Sequence, residues 1–205
     1  MADIKDYIWV FPIIGAVLGI ITFLAPVADW TQSYGGYSVD WYYWIWGYVS
    51  VRISSGYYGT YGESQITTND TLLTVSIIST IMIAIGIVIL LVGGVQERRS
   101  SKYLAADRLY NKRFEIISGI GAILLIVGAI VWLAGADWPT TDSVPPIPGY
   151  DFWDWFNVNF GIIAPFIGAG ISLVGIPVSY YYNYYLREKA GIREPKRETV
   201  GKKNP

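Results

Sequence analysis

The chain has 205 residues, 15 Lys and Arg against 16 Asp and Glu, a net charge near −1, and neither cysteine nor histidine. Without cysteine there is no disulfide, thiolate metal cluster, haem thioether or cysteine nucleophile, and without histidine the commonest metal ligand and near-neutral general base are missing. The charges that remain avoid four long stretches, Tyr7–Ala28, Thr71–Gln96, Ile116–Ala136 and Trp155–Leu186, which carry no Asp, Glu, Lys or Arg.

A hydrocarbon core of about 30 Å takes roughly 20 helical residues at 1.5 Å each. Lipid offers no water to backbone amides, so such spans are helices. The reading is an all-α membrane protein: a four-transmembrane-helix bundle with a small antiparallel β element in its first outer loop. The expected spans are residues 7–28, 71–96, 116–136 and 157–186, forming a single membrane domain over 1–205. Outer loops occupy 29–70 and 137–156, an inner loop 97–115 and an inner tail 187–205.

The first span follows a flank with two acids and one Lys, Met1 to Asp6, and reads as an uncleaved helix rather than a signal peptide. Gly15 and Gly19 form a GxxxG within it. Ala164, Gly168 and Ser172 repeat at the same spacing in the fourth span, where Pro165 and Pro177 also lie. Small residues at this spacing allow close helix approach, first within the bundle and alternatively between protomers.

The first outer loop is rich in Tyr, Trp, Val and Ile from Ser38 to Ser54, a strand-pair composition, with a turn at Ser54-Ser55-Gly56 and a returning strand from Tyr57 to Ile66. Asn69-Asp70-Thr71 is a glycosylation sequon, yet its place at the start of the second span suits a helix N-cap better.

The inner loop holds Arg98, Arg99, Lys102, Arg108, Lys112 and Arg113, and the tail after Arg187 is basic as well. Every basic residue except Arg52 therefore falls on one side of a four-span chain, which sets both termini in the cytoplasm. Tyr103, Tyr110 and Phe114 share one helical face of the inner loop, as in a helix lying on the inner leaflet and continuous with the third span.

The second outer loop runs from Trp138-Pro139 through Pro145-Pro146-Ile147-Pro148 to an aromatic segment ending at Phe156. It echoes the first: Ala28-Asp29-Trp30 against Ala136-Asp137-Trp138, and Asp40-Trp41-Tyr42 against Asp154-Trp155-Phe156. A parallel two-helix repeat would explain the echo. After the fourth span, Tyr180 to Tyr185 form an interfacial belt before the charged tail.

Seven of the nine tryptophans, Trp30, Trp41, Trp44, Trp46, Trp138, Trp153 and Trp155, stand in or beside the outer loops with eight carboxylates. Such rings serve as an interfacial belt, as anchors for a protein partner, or as a platform for a sugar or cation. No ionisable residue lies inside a span, which argues against ion-coupled transport and intramembrane hydrolysis. Only Asp107, Arg108 and Glu115 are placed on the inner side for acid–base work on lipid.

The layout resembles the claudin and peripheral myelin protein superfamily of tetraspan proteins, in which a Trp follows the first helix as Trp30 does here. That family's Gly-Leu-Trp and two loop cysteines do not occur in this chain. The resemblance implies a left-handed helical bundle, a first outer loop folded as a small sheet, and lateral assembly or accessory-subunit roles. The functional expectation is a non-enzymatic membrane protein that binds no cofactor, metal or nucleic acid and meets the bilayer and a protein partner or further copies of itself. The tryptophans named above are its expected contact residues. A homo-oligomeric channel or small-solute facilitator is the alternative.

Overall fold

A computed structural model describes residues 7–56, 59–67, 69–103, 112–136 and 152–181. In chain order the elements are α1 (Val10–Leu24), β1 (Ala28–Tyr34), β2 (Tyr37–Tyr43), β3 (Tyr48–Ser55), β4 (Gly59–Ile66), α2 (Asp70–Tyr103), α3 (Lys112–Ala136), α4 (Phe152–Trp155), β5 (Asn157–Val158) and α5 (Phe160–Tyr180). The five strands form one sheet in the order β4-β3-β2-β1-β5, with every pairing antiparallel.

Among the described residues three helices are long and apolar enough to cross a membrane: Asp70–Arg99, Arg113–Ala136 and Phe160–Tyr180. The helix in the first expected span is only 15 residues, Val10–Leu24, or about 22 Å. Its end is dictated by the sheet. After the cap at Ala25 comes Pro26, and the Val27 N–H donates to the Tyr43 carbonyl at 2.7 Å, so Val27 is tied to the sheet just ahead of β1 and Ala28 opens that strand instead of extending the helix. The last expected span shortens for the same reason, because Asn157–Val158 pairs with Ala28–Asp29 and α5 starts only at Phe160.

The four longer helices, α1, α2, α3 and α5, each keep an apolar stripe open to their surroundings. The stripes comprise Ile14, Val17, Ile20 and Leu24 on α1, Ile81, Ile85, Val88 and Val92 on α2, Ile116, Ile120, Ile123 and Ile130 on α3, and Ile163, Ile167 and Val174 on α5. Small residues fill the seams between helices. A Cβ at Gly15 would lie 2.6 Å from the Gly168 carbonyl oxygen and inside the contact shell of Ser172 Oγ, so α1 and α5 touch backbone to backbone. Gly19 faces Ile87 of α2 and Leu125 of α3 instead. Ala164 is fully buried, and Ser172 satisfies itself on the Gly168 carbonyl at 2.9 Å. Trp132, fully buried, donates its indole N–H to Ser76 Oγ at 3.2 Å, a polar link from α3 to α2.

At the end away from the sheet, α2 runs on to Tyr103 and α3 begins at Lys112, so both helices reach into the expected inner loop. Phe114 is buried at 3% exposure and packs inward. Arg98 lies over the Trp9 ring at 4.7 Å, an arrangement that favours the cation by ring quadrupole attraction. At the other end, Asn69 caps α2: its Oδ1 accepts the Leu72 N–H at 2.9 Å. The Leu104–Asn111 segment, Trp138 and the proline run of the second outer loop, and Tyr182, Tyr184, Tyr185 and the tail lie outside the described residues.

Candidate interaction surface

The sheet grows directly out of the bundle. Its register places Ala28, Trp30, Trp41, Tyr43, Val49 and Val51 on one face, and all six belong to or pack against the buried core. The opposite face carries Asp29, Thr31, Asp40, Ser50, Arg52 and Ser64, with Asp40 directly across from Arg52. This alternation is what a sheet with one covered and one wet side requires.

The β2–β3 connection plugs into the helix ends. Ile45 is fully buried, and its carbonyl accepts Thr80 Oγ1 at 3.3 Å. Gly47, at φ +85°, sits against Leu73 and Ser76 of α2 where a side chain would crowd them. On either side of Ile45, Trp44 Nε1 donates to the Leu24 carbonyl at 3.3 Å and Trp46 Nε1 to the Phe23 carbonyl at 3.2 Å. These are last-turn carbonyls of α1 that have no partner within the helix. Trp153 does the same for α3, donating to the Leu133 carbonyl at 3.0 Å.

Around this junction the aromatic rings pack on one another. Trp30 and Trp41 are register partners with ring centroids 6.4 Å apart, and Trp155 meets Trp30 edge-on at 5.7 Å. Phe152 stacks on Phe156 at 4.4 Å, and both meet the Tyr43 ring edge-on. Trp46 stacks on Tyr48 at 4.7 Å. Of the seven tryptophans expected at the contact surface, Trp30, Trp41, Trp153 and Trp155 pack against the core and Trp44 is half-buried. Trp46 keeps 38% exposure, and Trp138 is outside the described residues. The second echo does not extend to conformation: Asp40-Trp41-Tyr42 is strand, whereas Asp154 and Trp155 close a helical turn.

Tyr43 is 1% exposed, and burial pushes its phenol well above the ordinary tyrosine value. Its hydroxyl and the Trp41 indole N–H make no hydrogen bond among the described residues. No group of three or more acids able to hold a metal occurs among the described residues either.

The open surface is elsewhere. All eight residues of β4 are exposed, and β4 is an edge of the sheet. The Thr67 N–H donates to the Gly47 carbonyl at 2.8 Å. Antiparallel alternation from that bond directs the N–H groups of Thr60, Gly62, Ser64 and Ile66 away from β3, toward the open side. Tyr61 is 60% exposed, and its hydroxyl donates to Glu63 Oε1, which raises the phenol pKa. At the far tips, Tyr34 and Tyr37 flank a two-residue turn, Gly35-Gly36, with both glycines at positive φ. A Gly-Gly pair between two aromatic runs is a readable hairpin signal, and it marks these residues in the sequence. The β4 edge carries no such mark, since its place as the last strand beyond β3 is set by the assembled sheet and not by a local pattern. No protein-family model matches this chain, and no curated protein matches it.

Proposed function

We propose that this chain is a non-catalytic, multi-pass membrane protein whose outward sheet recruits a protein partner, as a scaffold, an assembly or adhesion protein, or an accessory subunit of a membrane complex. In this reading α1 is the fourth span. What supports that is its open stripe of Ile14, Val17, Ile20 and Leu24, the same kind of lipid-compatible face that the three longer helices carry. With four spans every basic residue but Arg52 falls opposite the outer loops, which sets both termini inside. Its shortness is met by the Trp44 and Trp46 rings, which continue the apolar surface at the level where indoles favour the membrane interface.

The observation that carries the reading is β4. It is eight residues long, exposed throughout, free of Pro, Lys and Arg, and charged only at Glu63. Sheets that stay unpartnered blunt such edges with lysine, proline or a covering segment. An unblunted edge is a template for an added strand, whose main-chain bonds supply affinity and whose alternate side chains supply selectivity.

The test is purification from the native membrane in mild detergent, followed by native mass analysis, for the wild type and Ser64→Pro. Proline at Ser64 deletes an outward N–H and leaves the β3–β4 bonds in place. An unrelated protein in whole-number stoichiometry, lost in the variant, is the expected result. A pure homo-oligomer would instead favour the channel reading and direct the next assay to solute flux in liposomes, and a lone monomer would sink partner recruitment.

A further inference from the structure

The two faces of β4 differ in what they present to an added strand. The register on β3 sets Tyr61, Glu63 and Gln65 on the face of Val51, and Thr60, Gly62 and Ser64 on the face of Arg52. The N–H groups of Thr60, Gly62 and Ser64 point outward, so an antiparallel newcomer meets Gly62 in a hydrogen-bonded pair. It meets Glu63 in a non-hydrogen-bonded pair, where Cα atoms lie only about 4.5 Å apart and side chains touch. Opposite charges in such a cross-strand pair stabilise it, and a second carboxylate beside Glu63 repels.

On the other face Gly62 forms a slot. Arg52 is exposed and is the only basic residue in either expected outer loop. It has Asp40 across from it on β2 and Gly62 across from it on β4. A Cβ built at Gly62 would meet the Val51 carbonyl oxygen at 3.4 Å and no side chain of the described residues within 4 Å. The residue that an added strand sets over Gly62 lies about 10 Å from the Arg52 Cα, counted across the two pairings. The arginine side chain and a carboxylate side chain together span that gap, and a glycine leaves it unobstructed. We propose that the strand recruited by β4 runs antiparallel to it and carries a basic residue opposite Glu63, followed at once by an acidic residue over Gly62. The order follows from direction, since a strand antiparallel to β4 meets Glu63 before Gly62. β4 holds no Lys or Arg, so a second copy of this edge cannot supply the base, and the complement belongs to an unrelated strand.

Charge pairing of this kind rests on strand addition at β4, and synthetic peptides separate the two. Strand peptides of alternating Thr and Val, differing only in a central Lys-Glu, Glu-Glu, Lys-Lys or Glu-Lys, are titrated against the full chain in nanodiscs of neutral lipid. Lys-Glu is expected to bind tightest, by about tenfold over Glu-Glu and about threefold over Lys-Lys. Glu63→Lys reverses the first preference, so that Glu-Glu outbinds Lys-Glu. Gly62→Thr fills the slot and keeps the outward N–H, so Lys-Glu and Lys-Lys bind alike while Glu-Glu stays weak. Both positions are exposed, and thermal unfolding of the two variants is expected to match the wild type. If Gly62→Thr fails to fold, Glu63→Lys decides. Equal binding of every peptide, abolished by Ser64→Pro, would keep strand addition and overturn the charge pairing. Tightest binding by any other peptide, or preferences that neither variant moves, would also overturn it. If no peptide binds, strand addition and the charge pairing fall together.

Discussion

Asn159 holds Asp29 across 130 residues of chain, its Nδ2 donating to Asp29 Oδ1 at 3.0 Å. The same side chain accepts the Phe160 N–H through Oδ1, and its backbone N–H donates to the Val27 carbonyl at 2.9 Å. One residue thus caps α5, aligns β5 and fixes the root of β1. Gly161 completes the joint, with its N–H on the Pro26 carbonyl at 3.0 Å in a space too tight for a side chain.

Replacing Asn159 by Ala removes the cap and the Asp29 bond together. The expected loss is about 1–3 kcal/mol, read as a lower thermal midpoint in detergent. Asn159→Ser keeps a capping oxygen and should fall between Ala and the wild type. An Ala variant that melts like the wild type would show that the joint does not hold the two ends together.

Gly15→Ala drives a methyl group into the Gly168 carbonyl and Ser172 Oγ, and should cost about 1–3 kcal/mol by overpacking. Gly170→Ala on the same α5 helix meets nothing within 4 Å and should be neutral or stabilising by up to about 1 kcal/mol. Equal responses at the two positions, measured by denaturation in detergent, would contradict the packing of α1 on α5.

Trp44→Phe with Trp46→Phe keeps the rings and deletes both indole donors to the α1 carbonyls. A drop of about 0.5–1.5 kcal/mol per bond is expected, with membrane insertion unchanged. Co-purification separates the roles of these two residues: a partner that persists in the variant docks elsewhere, and one that leaves uses the indoles themselves.

The buried Tyr43 phenol gives the alkaline limb of stability a defined sign. Its folded pKa lies above its unfolded value near 10, so the folded state resists ionisation. The stability it contributes is complete below pH 10 and declines as pH rises beyond it. Tyr43→Phe should flatten that decline and, by removing a buried hydroxyl that makes no hydrogen bond among the described residues, should not lower stability at neutral pH. Unfolding midpoints across the alkaline range provide the check.

The helices were legible because the absence of charge over a long stretch is a local property. Their ends were not, since Val27 and Ala28 are as apolar in a strand as in a helix, and only the Tyr43 carbonyl decides between them. The cap at Asn69 was readable because capping acts within three residues. β5 has two residues and exists only because β1 lies beside it, which no local pattern encodes. The tryptophans show the same divide. Their number stood out in the sequence, but the acceptor for Trp46 is a carbonyl 23 residues away that hydrophobicity cannot point to. The tip tyrosines were visible as composition, and only the pairing of Tyr34 with Tyr37 makes them neighbours.

The arrangement stands or falls on the sheet lying outside with both ends of the chain inside. The chain has no cysteine, so single thiols can be placed without background. Thr60→Cys on β4 and Lys202→Cys in the tail are treated with a membrane-impermeant maleimide, in intact and in permeabilised cells. Labelling of the β4 position in intact cells, and of the tail only after permeabilisation, is the expected result. A tail labelled in intact cells, or a β4 thiol reached only after permeabilisation, would contradict it.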